Sequence, residues 1–540
     1  MTSSIITYAV ALAVCLWALR LEIRRDLMML QQNSYRNERY RRWLSASSDS
    51  TSAWRLCGIV IFFIALSPFA PSIAGVVMAG TFALFRGYSL AKARYKKPLA
   101  VTNRVKRLMG ASYLISLLVI AGAAFAFSRG CDTAAQTWAR ALAAGVTAAL
   151  GCYCGSHIVV VLANIVLSPV EKAINRRYYR DAANRIAAMP ELKIIGVTGS
   201  YGKTTTKHYL HRILSEKYET LMTPGSYNTT LGVVRTIREM LKPYHEVFIV
   251  EMGAKARGDI KEICDLVHPR YGLITAVGPQ HLESFKTIEN VRDTKFELAD
   301  ALPADGLAVV NNDFEQIAGR SVDNVRCIRY AVKNTENADY VAEDINYSPA
   351  GTTFTAVDRV NGSRLVLTTR LVGECNISNL LGAVAMARHL GVEDDMIRHA
   401  VERIEQVEHR LSIRRTPSGM TIIDDAFNSN PVGSAMALDV LAAMTPGKRI
   451  LITPGMIELG ERQYELNEAL GKKAAGCCDI AIVVGHYNRD AIVSGLEKGG
   501  MAADAVRVAA SFAEAQAMLS KIAGAGDAIL YENDLPDTFK

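Results

Sequence analysis

The chain has no CxxC pair and no Cys/His cluster at zinc-ligand spacing, although its 540 residues include 10 cysteines. That excludes a structural zinc site. The scattered thiols, several inside apolar stretches, read as small hydrophobes in a reduced compartment, with no disulfide framework. Internal repeats and low-complexity tracts are also missing, so solenoids and repeat arrays are excluded. Acidic residues are scarce at the front: residues 1–190 hold 7 Asp+Glu against 23 Lys+Arg, a net of +16. The remainder holds 46 against 38, a net of −8, so the overall +8 hides two opposite halves. The basic half is also the apolar half. Basic segments flanking apolar runs orient membrane proteins, so this charge implies no nucleic-acid partner.

What the front does contain is long apolar runs, over Ile5–Leu19, Cys57–Phe85, Ser112–Phe127 and Ala141–Leu167, in a chain that is 50% hydrophobic with mean hydropathy +0.12. Ile5–Leu19 lacks the basic start and the small-residue cleavage site of a signal peptide, and reads as an anchor. Arg20–Trp43 carries seven basic residues and Arg86–Arg107 eight with no acid, so both are expected on the cytoplasmic side. The run between them must then leave and return on one side, turning at Ser67–Ser72, where Pro68 and Pro71 break the helix. Ala141–Leu167 is expected as one returning span before the basic stretch Glu171–Arg185. The count is about five spans, with no acidic relay that would suggest a transporter. The expectation is a multi-pass plasma-membrane protein, in contact with the lipid bilayer, whose catalytic part is cytoplasmic.

The middle of the chain carries a phosphate loop. "LKIIGV" (Leu192–Val197) suits a buried parallel strand, "TGSYGKTTT" follows, and "TKHYLHRILSEKY" shows helical spacing. Gly199, Ser200 and Gly202 let backbone amides approach phosphate oxygens at a helix N-terminus. Lys203 would reach the β- and γ-phosphates of ATP and the Thr204 hydroxyl would hold Mg2+, with Thr205 next to it. "VFIVE" ends in Glu251 and "LITAVGPQH" in His281, two apolar strands ending in potential ligands. Taken singly, Glu251 reads as a capping or solvated acid and His281 as a structural histidine. Open α/β sheets, however, bind at their strand C-termini.

"GVTGSYGKTTTKHYL", "MTPGSYNTTLGVV", "VEMGAKARGDIKEICDLVHP", "AVGPQHLESF", "RDTKFEL", "GECNISNLLGAVAMA" and "IDDAFNSNP" occur in the order found in Mur ligases, and "GMIELGERQYELNEALG" adds to the match. Over about residues 190–540 the chain resembles that family, closest to its branch for adding D-alanyl-D-alanine to a muropeptide. The resemblance implies phosphorylation of a carboxylate by ATP with Mg2+, then attack by an amine to give an amide. It implies Lys203 at the phosphates, Glu251, His281 and a carbamylated Lys295 at magnesium, and Asn376 and Asn379 on the adenine side. Arg410 would face the phosphates, Asp425 the ribose, and Asn228 and Thr229 the carboxylate substrate. Asn430, in "NSNP", matches a substrate position or is an ordinary Asn-Pro turn.

Cys375 stands where His is usual in the family, Phe427 where Tyr is usual, and "TPGM" replaces "GDM". The front has no room for the family's UDP-binding domain, so the acceptor could be UDP-linked or lipid-linked. The expected organisation is a helical transmembrane region over 1–189, then two α/β domains. These are a central ATP-binding domain with a parallel sheet (190–408) and a Rossmann-like C-terminal domain (409–540). Within the central domain a period-two stretch reads as an antiparallel insertion turning at Asn361-Gly362. A membrane-anchored ligase of polyglutamate type, or one that modifies a lipid-linked muropeptide, is the alternative enzyme. A membrane scaffold that binds ATP without catalysis is the alternative class.

Overall fold

The computed structural model of the chain describes residues 2–66, 73–95, 97–129, 133–348, 351–427, 429–444 and 446–535, and the statements below concern these residues. They fall into a first compact unit, up to Asn175, and a second, Arg176–Asp534.

The first unit is helical: α1 (Thr2–Gln32), α2 (Asn37–Ala46), α3 (Ala53–Leu66), α4 (Ile73–Lys92), α5 (Asn103–Ser128), α6 (Ala134–Cys154) and α7 (Ser156–Ala187), the last running on into the second unit. The expected anchor Ile5–Leu19 continues as helix to Gln32, because Glu22 and Asp26, one turn apart, face inward. Arg55 of α3 donates from Nη2 to Asp26 (3.1 Å) and Glu22 (3.3 Å), and Arg86 of α4 donates to Glu22 at 2.8 Å. Buried charges of this kind hold register because losing one partner strands the other, at about 3–5 kcal/mol. The expected single span Ala141–Leu167 is two helices instead. Gly155 caps α6, its N–H donating to the Gly151 carbonyl at 2.9 Å. The expected turn at Ser67–Ser72 lies outside the described residues. Four helices are long and apolar enough to cross a membrane by length and composition, against the five expected, and Ala53–Leu66 is shorter.

The second unit contains two sheets. The first is built from β1 (Lys193–Thr198), β2 (Thr220–Met222), β3 (Val247–Glu251), β4 (Tyr271–Ile274), β5 (Leu307–Asn311), β6 (Arg326–Ala331), β7 (Tyr340–Ser348), β8 (Gly351–Asp358) and β9 (Ser363–Thr369). Their order is β2-β3-β1-β4-β5-β6-β7-β8-β9, parallel through β7 and antiparallel from there. The β8–β9 turn falls at the expected Asn361-Gly362. Alternate residues of each central strand enter opposite cores: Ile195, Val197, Val247 and Ile249 pack on one face, Ile194, Phe248 and Val250 on the other. That is why these strands read as continuous apolar runs, each fully buried side chain contributing about 1.5–3 kcal/mol.

The second sheet comprises β10 (Ser412–Arg415), β11 (Thr421–Asp425), β12 (Arg449–Thr453), β13 (Ile480–Val484), β14 (Val506–Ala509) and β15 (Ala528–Glu532). The order is β10-β11-β15-β12-β13-β14, parallel except for β10. Its neighbours β11, β15 and β12 end in Asp425, Glu532 and Thr453, so their C-termini gather polar groups at one place. The first unit's helices and these two α/β layers give the helical-then-α/β architecture the sequence suggested.

Candidate active site

The loop between β1 and the helix Lys203–Leu214 requires glycine at two positions. Gly199 has φ +151° and Gly202 φ +76°; a Cβ on the first would lie 2.1 Å from Thr275 Oγ1, and on the second 2.3 Å from Asn379 Oδ1. The loop is pinned to the segment after β4, the Ser200 N–H donating to the Ala276 carbonyl at 2.7 Å and the Ser200 hydroxyl to the Gly278 carbonyl at 3.1 Å. Thr275 adds a hydroxyl bond to the Tyr201 carbonyl. The result is a rigid backbone cradle at a helix N-terminus, the geometry that receives phosphate. Lys203 curls over it, Nζ donating to the Gly199 (2.7 Å) and Ser200 (3.1 Å) carbonyls. Burial pulls the Lys203 ammonium down to about 8, against the pull of Glu251's charge. Thr204 lies in the first turn of this helix and Thr205 is buried behind it.

Glu251 closes β3 and is buried. It accepts from Lys207 Nζ at 3.0 Å and from Asn228 Nδ2 at 2.9 Å. Burial raises its pKa, but Lys207, Lys203 and the Asn228 bond outweigh that and hold it below the usual carboxylate range. Lys207 was not singled out from the sequence. It sits one turn beyond Lys203 on the same helical face, a spacing that could have flagged it. Thr229 does not reach toward Glu251 as Asn228 does: its hydroxyl caps the helix Thr230–Glu239, accepting from the Gly232 N–H at 3.3 Å.

His281 has φ +53°, and its Nδ1 is hydrogen-bonded to the Glu458 carboxylate from the chain segment after β12. Burial is the main influence on this ring and favours the neutral form that can ligate a metal. Lys295, on the helix Ile288–Asp300, is 2% exposed. Burial, reinforced by the charge of Lys203, drives its pKa well below the lysine value. Among the described residues no hydrogen bond or ion pair is formed by its Nζ, which is unusual for a lysine so deeply buried.

The two asparagines expected on the adenine side separate. Asn379 abuts Gly202 of the phosphate loop, whereas Asn376 is locked between helices, accepting from the Tyr209 hydroxyl (2.9 Å) and donating to the Val372 carbonyl (2.8 Å). Arg410 donates to the Phe427 carbonyl at 3.0 Å and lies 4.5 Å above its ring; its charge is felt by Lys203 and Asp425. Asp425 accepts from the Leu411 N–H at 3.0 Å, and burial together with the Glu532 charge lifts its carboxyl to about 7. Glu532 is buried among hydroxyl donors from Ser429, Ser434 (2.6 Å) and Thr453 (3.2 Å). It ends an apolar strand just as Glu251 does, so the criterion that found one could have found the other. Asn430 is neither free nor in a simple turn: it caps the helix Pro431–Ala442, accepting from the Gly433 N–H at 2.8 Å.

These groups suit ATP, because the cradle leaves no space for side chains on its glycines and places Lys203 over it. They also suit magnesium in their donor chemistry, with the Thr204 hydroxyl in the first turn after the loop and the Glu251 carboxylate at the end of β3. Magnesium needs only one or two protein ligands beside phosphate oxygens and water.

A family model described as "Mur ligase middle domain" matches residues 197–387, and one described as "Mur ligase, glutamate ligase domain" matches 409–531, together more than half of the chain. The UDP-N-acetylmuramoyl-tripeptide--D-alanyl-D-alanine ligase of Escherichia coli (strain K12) is 32% identical over 287 residues, covering 53% of this chain and 63% of its own. Its counterpart in Bacillus subtilis (strain 168) is 28% identical over 280 residues, covering 52% and 59%. The chain thus spans about three fifths of the length of the curated relatives it matches. Among solved structures, MurF from Acinetobacter baumannii superposes with TM-score 0.60 at 26% identity, covering 66% of this chain and 77% of that one. MurF from Thermotoga maritima in complex with ADP superposes with TM-score 0.58 at 25% identity, covering 66% and 80%.

These matches overturn the expected placement as a multi-pass plasma-membrane protein with cytoplasmic catalytic domains. The relatives are named for a UDP-linked substrate, a doubly phosphorylated and therefore water-soluble carrier, and the matched domains begin only at residue 197. The helices before it have apolar length and composition alone in favour of spanning, which does not support that placement.

Proposed function

Because the chain belongs to the Mur ligase family, we propose that it is an ATP-dependent amide ligase of peptidoglycan precursor synthesis. It joins the terminal carboxylate of a muropeptide to the amine of an amino acid or of D-alanyl-D-alanine. When bound, ATP with Mg2+ supplies the phosphoryl group that activates the carboxylate and screens its charge. The chain's own residues do the rest. The Gly199–Gly202 backbone orients the phosphates, and Lys203 neutralises charge as it develops in transfer. Thr204, Glu251 and His281 are the metal-facing donors, Glu251 kept anionic by Lys207 and aimed by Asn228. Asn379 buttresses the loop, Arg410 brings a second cation from the C-terminal part, and Asp425 feels that cation, with Glu532 buried nearby.

The observation that carries this reading is Lys295: buried, without a hydrogen-bond or ion-pair partner among the described residues, and driven toward its neutral form by burial and by the charge of Lys203. A neutral amine is the form that adds carbon dioxide, and the resulting carbamate is an anionic oxygen donor of the kind magnesium takes. A protein that only bound ATP would gain nothing from such a lysine. In Lys295→Ala, turnover with ATP, magnesium and both substrates is expected to fall by about 10²–10³-fold, the scale of one lost electrostatic contact at a transferring group. Acetate is expected to restore part of it, and bicarbonate depletion to slow the parent enzyme. Full turnover in Lys295→Ala would remove the carbamate from the account.

A further inference from the structure

The first unit contains a cavity of about 580 Å³, with cationic and amide side chains on its wall, that no matched domain covers. Three separate segments build it: the turn after α1 and the start of α2 (Tyr35, Asn37), the first turn of α5 (Arg104), and the middle of α7 (Asn164, Ser168, Lys172). We propose that this cavity binds the diphosphate group of a carrier-linked ligand.

Its charge arrangement favours an anion of more than one phosphate. The Arg104 guanidinium lies 3.9 Å above the Tyr35 ring, and its buried Nε–H has no hydrogen-bond partner among the described residues. A planar cation held by stacking with a donor unspent is the arrangement that takes phosphate oxygens. Lys172 supplies a second positive charge at the same cavity. The one acid at the wall, Glu171, is already neutralised by Arg107, which donates from Nε at 2.6 Å and Nη2 at 2.9 Å, so it does not oppose an anion. Asn164 donates from Nδ2 to the Tyr35 carbonyl (3.1 Å) and to Asn37 Oδ1 (2.8 Å). Those bonds fix the loop and spend the Asn37 carbonyl, leaving its NH2 group as a further donor. The volume exceeds the need of a single phosphate and lies within the range of small-ligand sites.

The assignment rests on the ligase reading, in which the acceptor carries its peptide on a diphosphate. The same chemistry is offered by a soluble nucleotide carrier or a polyprenyl carrier, and binding distinguishes them. The full-length protein, its phosphate loop saturated with ADP, is titrated by calorimetry with UDP and, in matched micelles, with a short-chain polyprenyl diphosphate. One of the two is expected to bind. UDP binding identifies a nucleotide carrier and polyprenyl diphosphate binding a lipid one. Arg104→Gln with Lys172→Gln is expected to weaken that ligand at least about tenfold, as loss of two charge-assisted contacts implies, while ADP affinity stays unchanged. Lys172→Gln alone changes only an exposed side chain, so the test survives if the double variant misfolds; a several-fold weakening is expected. Absence of binding by both probes, or equal affinity in parent and variants, would overturn the site. Loss of ADP binding in the parent would count against the ligase reading instead.

Discussion

Replacing Lys207 by Met tests how the site keeps a carboxylate charged inside the fold. The Lys207 and Glu251 side chains are 0% and 1% exposed and lie 3.0 Å apart. Lys207→Met preserves volume and leaves Glu251 with Asn228 and the more distant Lys203 as its only relief. Removing one partner of a buried pair costs about 3–5 kcal/mol, equivalent to a roughly 10²–10⁴-fold rise in local opening. The sign of the pH dependence also changes. In the parent, Glu251 is held below its unfolded value, so its contribution is present above about pH 4.5 and lost as acid protonates the folded state. In the variant its pKa climbs above the unfolded value, and stability falls as pH rises toward neutrality. All four tryptophans lie at or before residue 138, so fluorescence would report on the wrong unit. Hydrogen exchange of peptides covering β1 and β3, followed by mass spectrometry from pH 5 to 8, reads the right one. Lys207→Met with Glu251→Gln is expected to regain most of the protection. A single variant within about 1 kcal/mol of the parent at all pH values would refute the reasoning, since a typical exposed substitution does no more.

Lys203→Ala is expected to reduce turnover by about 10³-fold or more, as removal of a charge clamp does, with helical content unchanged by circular dichroism. Gly202→Ala places a side chain at φ +76° and 2.3 Å from Asn379 Oδ1, so ADP affinity measured by calorimetry is expected to drop at least about tenfold while the β1 core persists. Asp425, lifted to about 7, binds a proton in the fold that the unfolded chain has lost above about pH 4. Its contribution therefore turns unfavourable as pH rises from 4 to 7. Asp425→Asn is expected to be more stable than the parent at pH 8, by about 4 kcal/mol, and no different at pH 4, in urea titrations followed by circular dichroism.

The sequence was most readable where local geometry leaves no choice. Gly199 and Gly202 flank a loop whose backbone admits little else, and the two-faced apolar runs of β1 and β3 announce a covered parallel sheet. Strand ends drew attention to Glu251 and His281. Their partners were hidden because pairing is a property of the fold: Glu458 meets His281 across 177 residues, and Lys207 reads as a surface lysine until Glu251 faces it. The same blindness applied to Glu22 and Asp26, which close to Arg55 and Arg86 of other helices turn an apparent anchor's basic flank into buried structure. Thr229 and Asn430 show a converse case: their side chains also satisfy the first turns of helices, a local role of Thr and Asn that their positions in family motifs did not bring out. A single span over Ala141–Leu167 failed because composition does not register one glycine cap at Gly155.

The central claim, that the chain activates a carboxylate and joins it to an amine, is tested most directly by coupled turnover. Full-length protein is incubated with ATP, magnesium, UDP-linked or lipid-linked muropeptide tripeptide, and D-alanyl-D-alanine, each component omitted in turn, while phosphate is assayed and the product weighed by mass spectrometry. Sustained phosphate release is expected only when both substrates are present, matched mole for mole by a product lighter than the sum of its parts by one water. Phosphate released at the same rate without an amine, or no release with every component present, would contradict it.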